Sequence, residues 1–148
     1  AANYGNRWRV SSTHPIDFYL EGTFTTAACS GYDNYGLVLQ TPGYNDKPRY
    51  FFGVTCNGQY IFQQWSGENP SNLISWTADE NIKTGANQTN RLGILSQNNG
   101  FKFYINGVLV KEYTGAAITA EGHFGANINA KESSNFTVSL IELLEWDL

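Results

Sequence analysis

An all-β fold, an antiparallel sandwich or barrel, is the class that this 148-residue sequence predicts, and three observations predict it. Apolar and polar residues alternate with a period of two in run after run. The runs are short and end at turn residues, including Asn-Gly at 57–58 and at 106–107. No stretch carries an i, i+3, i+4 apolar pattern through three helical turns.

In chain order, the first predicted strand is 17–27 (DFYLEGTFTTA), with Phe18, Leu20 and Phe24 on one face and Gly22 read as a bulge. Strands at 35–40 (YGLVLQ) and 49–55 (RYFFGVT) flank the loop TPGYNDKP. The second of these turns at Asn57-Gly58 into 58–65 (GQYIFQQW). Residues 66–89 are weakly patterned and read as a crossover connection carrying a short strand at one apolar island, Leu73 to Trp76. Strand 90–97 turns at Asn98-Asn99-Gly100 into 101–105 (FKFYI), which turns at Asn106-Gly107 into 108–113. Strands at 122–128 and 135–146 complete about ten; the β-branched lead-in of the last outweighs the helical look of IELLEW. Residues 1–148 read as one domain with its core in about 15–146, without repeat or linker.

Composition narrows the function classes. Nine Lys and Arg against thirteen Asp and Glu give a net charge of −4, which argues against a nucleic-acid backbone as partner. No run approaches the length of a membrane-spanning helix, and no basic amphipathic segment suggests a membrane surface, so membrane insertion is not expected. Aromatic residues are 15% of the chain, as many as charged ones, and methionine is absent, which suits a rigid β-protein with more aromatic surface than a core requires. The opening Ala1-Ala2-Asn3 has neither the charged nor the apolar region of a signal peptide.

Cys29 and Cys56 lie 27 positions apart, with no histidine or second cysteine at metal-ligand spacing. A disulfide between them competes with two free buried thiols; a bridge implies an extracellular or cell-surface location. Two sequons, at Asn87 and Asn135, would permit glycosylation.

The order of "DFYLEGTF", "YGLVLQ", "RYFFGVTCNGQYIFQQW", "LISWT", "NRLGIL", "GFKFYINGVLV" and "FTVSLIELLEW" resembles the concanavalin A-like, laminin G-like jelly roll. The layout is most similar to the 3-keto-disaccharide hydrolase-like and levanase fructan-binding module group. The resemblance implies two curved antiparallel sheets, with ligands on a concave face or the loops at its rim. Part of a larger multidomain protein is the context expected for such a module.

Strand parity then singles out a site. Tyr50, Phe52, Val54, Tyr60 and Phe62 form the more uniformly apolar faces and are assigned to the core. Arg49, Phe51, Gln63 and Trp65 share the opposite face: a guanidinium, an amide and two aromatic planes, which suit stacking on sugar C–H groups and bonding to hydroxyls. The competing reading is that Phe51 and Trp65 pack beneath the 66–89 connection. Trp76 serves either packing or the rim. Tyr32 and Tyr44, each beside Asp and Asn in turn-rich loops, are further ligand candidates.

Catalytic patterns are weak. Glu145 and Asp147 sit at i, i+2 on one strand face, without the third carboxylate of the retaining-glucanase pattern, and read as a surface pair. His14 and His123 have no nucleophile elbow to serve, and no phosphate-binding loop occurs. No cofactor is required; a structural calcium stays open, with Asp17, Asp33, Asn34 and Asp147 as candidates but no ligand spacing behind them. The expected function is non-catalytic binding of an oligo- or polysaccharide. A glycoside hydrolase or lyase of the same fold and an extracellular adhesion domain are the alternatives.

Overall fold

The structure is a computed structural model that describes residues 5–66 and 69–148. Among the described residues there are eleven strands: β1 (Gly5–His14), β2 (Phe18–Thr26), β3 (Asn34–Thr41), β4 (Tyr50–Thr55), β5 (Gln59–Ser66), β6 (Asn69–Ala78), β7 (Thr89–Gln97), β8 (Gly100–Ile105), β9 (Val108–Thr114), β10 (Gly122–Ala130) and β11 (Val138–Asp147). They form a six-stranded sheet in the order β1-β10-β3-β4-β5-β6 and a five-stranded sheet in the order β11-β2-β7-β8-β9. Every neighbouring pair is antiparallel.

The core lies between the sheets and is built as the alternation predicts. Leu37, Phe52 and Phe62 from one sheet meet Leu20, Ile94, Phe101 and Phe103 from the other, all buried. Ring centroids of Phe62 and Phe103 are 4.6 Å apart, and those of Phe52 and Phe103 are 4.8 Å apart. Contacts of this kind add about 0.5–1.5 kcal/mol per pair beyond the area buried.

The 101–113 hairpin has Phe101, Phe103 and Ile105 in the core, as its parity requires. Asn106 and Gly107 both hold positive φ, 51° and 84°, the geometry a two-residue hairpin turn needs. Asn106 also ties the turn to the body of the molecule. Its Oδ1 accepts the Arg91 N–H at 2.8 Å, and its Nδ2 donates to the Asn81 carbonyl at 2.7 Å.

Four expectations need correction. First, the chain before residue 15 is not outside the sheet: β1 pairs with β10 along Gly5–His14. Second, the strand expected within 66–89 is longer than the Leu73–Trp76 island, because β6 pairs with β5 from Ser66↔Asn69 to Gln59↔Ala78. The passage between sheets is confined to residues 79–88. Third, Gly22 keeps regular register with both Leu92 and Leu143. It is glycine because a Cβ there would lie 2.7 Å from Leu37 Cδ2; the bulge is on β11, between Leu140 and Glu142. Fourth, Asp33 is no cation ligand. It is fully buried, and its Oδ1 accepts the N–H groups of Lys131 and Glu132 at 2.7 and 2.8 Å, pinning the turn after β10.

Cys29 and Cys56 are bridged, with Cα atoms 5.5 Å apart. The bridge clips the segment before β3 to the end of β4, where Asn57 N–H also bonds the Gly31 carbonyl at 3.0 Å.

Candidate functional site

The outer surface of the six-stranded sheet carries the candidate site. Because Tyr50, Phe52, Val54, Tyr60 and Phe62 turn inward, Phe51 and Gly53 of β4 and Ile61, Gln63 and Trp65 of β5 turn outward. Backbone register sets these in rows across the sheet. One row runs Val10, Gly125, Val38, Phe51, Gln63, Asn72; the next runs Trp8, Asn127, Gly36, Gly53, Ile61. Two glycines in the second row leave a trough, and the Phe51 ring fills the space where a Gly53 side chain would be.

Val38, Phe51 and Ile61 thereby form a small apolar cluster, with Val10 and Trp76 packed against it. Above this floor opens a cavity of about 200 Å³. Phe51 and Val38 are buried at its base, half-buried Trp8 and Trp65 wall it, and Lys47, Pro48, Asn6 and Asn127 complete the lining. Asn127 is only 6% exposed, and its Oδ1 has no hydrogen-bond donor among the described residues. Such an acceptor costs about 1–3 kcal/mol unless a ligand or water satisfies it.

A second cleft adjoins the first, sharing Trp8 and Asn6 and lined also by Arg7, Arg9, Tyr44 and Asn45. The loop between β3 and β4 forms its rim. Trp8 Nε1 donates to the Asp46 carbonyl at 3.2 Å, and the Tyr44 ring packs on His123 at 4.4 Å.

Most of the residues singled out from sequence meet here. Phe51, Gln63 and Trp65 share the outer face, with Gln63 Nε2 donating to Asn72 Oδ1 at 3.0 Å. Exposed Arg49 stands opposite Trp65, whose N–H bonds the Arg49 carbonyl at 2.7 Å. Phe51, however, is only 4% exposed: it is floor, covered by Val10, by the cavity walls and by Trp76, the one residue of the 66–89 segment that packs against its cluster. Trp76 packs against the floor, and Tyr44 stands at the rim, two-thirds exposed. Tyr32 does not join them. It lies beside the disulfide, at the end of the sheet where Asn34 pairs Thr55, whereas Trp65 lies at the opposite end of β4.

Trp8, Asn6 and Asn127 were not anticipated. The signal for Trp8 was its alternation in Arg7-Trp8-Arg9-Val10, too brief and too polar to mark a strand by itself.

The carboxyl pair lies on the other sheet. Glu145 pairs Leu20 and Asp147 pairs Phe18, so both project toward the inter-sheet side of β11, and neither lines the aromatic cavity. Glu145 is half-buried rather than a plain surface group. Burial, followed by the adjacent Asp147 carboxyl, pushes its pKa up to about 7. Among the described residues no group of three or more His, Cys, Asp or Glu is arranged to hold a metal. Of the calcium candidates, Asp33 is engaged as described, and Asn34 donates its Nδ2 to the Tyr32 carbonyl at 3.0 Å.

No protein family model matches the chain, and no curated protein matches it. Solved structures do. The carbohydrate-binding module CBM66 from Bacillus subtilis is similar over 97% of this chain and 93% of its own, with a TM-score of 0.73 at 15% identity. Sheep galectin-11, in complex with glycerol, is similar over 99% of both chains, with a TM-score of 0.59 at 9% identity. Congerin II, liganded with lactose and MES, is similar over 96% of this chain and all of its own, with a TM-score of 0.61 at 9% identity. At these identities the likeness establishes the fold, and that fold is a concanavalin A-like jelly-roll β-sandwich.

Proposed function

We propose that the chain is a non-catalytic carbohydrate-binding module, reading an oligo- or polysaccharide on the outer face of its six-stranded sheet. The observation that carries this is the cavity between Trp8 and Trp65. It joins two partly exposed indole planes over an apolar floor to the amides of Asn6 and Asn127. Indole faces pack on sugar C–H groups while amides bond hydroxyls, and both are held in place before the ligand arrives, so little entropy is lost on binding. Three of the four tryptophans, Trp8, Trp65 and Trp76, stand on this one face. The solved structures it resembles, a carbohydrate-binding module and a congerin II liganded with lactose and MES, support the same reading.

The floor and flanks are assigned to Phe51, Gln63, Arg49 and Tyr44, with Trp76 behind them. The disulfide supports an extracellular or cell-surface setting, and the module would work within a longer protein. A glycan array, followed by titration of each positive glycan, tests the reading. Trp65→Ala is expected to weaken binding at least tenfold, about 1.4 kcal/mol. Unchanged binding by that variant, with its fold intact, would remove the cavity from the site.

A further inference from the structure

The charges around the site are distributed against the charge of the whole molecule. The chain carries a net −4, yet three of its nine basic residues, Arg7, Arg9 and Lys47, line the two adjoining spaces that share Trp8. Lys47 lines the aromatic cavity, and Arg7 and Arg9 line the cleft that shares Trp8 with it. Arg49 follows the same loop and stands opposite Trp65. No aspartate or glutamate is among the residues described as lining either space. Arg7, Arg9 and Arg49 are exposed, and none of the three pairs with a carboxylate among the described residues. The two described arginine and lysine ion pairs, Arg91 with Glu21 and Lys102 with Glu112, lie on the five-stranded sheet.

A neutral sugar draws little from such a field. An anionic one draws long-range attraction into a locally positive cleft and then charge-assisted hydrogen bonds, for which the planar guanidinium fork suits carboxylate and sulfate alike. Resting on the carbohydrate reading above, we infer that the ligand is an anionic glycan, its sugar rings against Trp8 and Trp65 and its acidic groups against Arg7, Arg9 and Lys47.

Matched pairs of polymers test this: polygalacturonate against its fully methyl-esterified form, and dextran sulfate against dextran, with polyaspartate as a sugar-free polyanion. Calorimetric titration at 50 and 500 mM salt is expected to show at least one charged member binding tenfold or more tighter than its neutral partner, and weakening as salt rises. Which pair responds tells carboxylate from sulfate. Arg7→Gln with Arg9→Gln, and separately Lys47→Gln, should each lower that affinity several-fold with unchanged unfolding midpoints, and Trp65→Ala should lower it as well. Equal binding of charged and neutral partners would overturn the anionic class while leaving carbohydrate binding in place. Polyaspartate binding as well as the charged glycans, insensitive to Trp65→Ala, would overturn both readings. No binding to any polymer of the set, when the glycan array is also negative, would sink both together.

Discussion

The ring of Phe51 occupies the space that a side chain on Gly53, two residues along the same face of β4, would need. That substitution of ring for side chain turns a flat sheet surface into a floor with walls. Gly53→Val is therefore expected to lift Phe51 out of the trough and narrow the cavity between Trp8 and Trp65. Overpacking of this kind costs about 1–3 kcal/mol. Urea unfolding and glycan titration read the two effects separately. A variant with wild-type stability and affinity would show that the ring moves freely and that the trough does not shape the site.

This relationship marks the boundary of what the sequence makes legible. Alternation assigns Tyr50, Phe52, Val54, Tyr60 and Phe62 to the core, and they are there. It sends Phe51 and Trp65 to the other side, also correctly. What alternation does not contain is what lies above that side. Phe51 is covered because Gly36 and Gly53 come into register on neighbouring strands and because β1 brings Val10 and Trp8 to the same surface. Both facts depend on long-range pairing. β1 escapes notice, and β6 shows only its Leu73–Trp76 island, for a common reason: each is an edge strand of its sheet with mostly exposed side chains, so apolar periodicity barely marks it. The hairpin turns, by contrast, are local chemistry: Asn106-Gly107 and Asn98-Asn99 hold the positive φ values that their residue types favour.

The Cys29–Cys56 bridge closes a loop of 27 positions that includes the whole of β3 and β4. In the chain-entropy description a loop of that length stabilises the fold by about 3.5 kcal/mol. Cys29→Ser with Cys56→Ser should lower the urea-derived unfolding free energy by about that amount. Because Tyr32 and the turn at Asn57 lie by the bridge and the aromatic cavity lies at the other end of β4, glycan affinity should be nearly unaffected in the folded fraction. A loss below about 1 kcal/mol would mean that the hydrogen bonds around Gly31 and Asp33 hold this corner without the bridge.

Asp33 makes a second, independent prediction. Burial by itself would raise its pKa, but the N–H groups of Glu132, Lys131 and Ser133 and the Ser133 hydroxyl outweigh burial and hold it below the ordinary carboxylate value. Its folded pKa is thus depressed, so its contribution is present above about 3.8, the unfolded value, and lost as pH falls through the folded one. Asp33→Asn removes the charge at nearly constant shape. The expected cost is about 2–3 kcal/mol at pH 7, shrinking as pH falls below about 3.8 and through the lower folded value. A cost independent of pH would assign the effect to packing.

His14 and Glu145 pull stability in opposite directions as pH changes. His14 is 1% exposed and stacks on Phe18 at 4.3 Å. Its Nδ1 faces the Pro15 carbonyl at 2.7 Å and its Nε2 accepts the Gln40 N–H at 2.9 Å, a pattern that only the neutral ring satisfies. Burial lowers its pKa; the Pro15 carbonyl and Glu121 oppose the shift, and His123 adds to it. Being depressed, it contributes stability above about 6.5, the unfolded value, and that contribution is lost as pH falls through the folded one. Glu145 runs the other way. Its pKa is raised from 4.5 to about 7, so its contribution is complete below 4.5 and is lost as pH rises through about 7. Between pH 4.5 and 6.5 the two contributions therefore oppose each other, the Glu145 part falling as pH rises while the His14 part grows, and above about pH 7 neither group changes the urea midpoint further. Glu145→Gln should restore stability on the alkaline side and change little at pH 4, whereas His14→Gln should remove the opposing His14 part and leave midpoints that rise as pH falls from 6.5 to 5, whatever its cost at pH 8. If the His14→Gln profile ran parallel to wild type across that interval, the buried imidazole would not be the group that titrates. If Glu145→Gln shifted midpoints equally at pH 4 and pH 9, its effect would be one of shape, and the Asp147 carboxyl would not be acting on it.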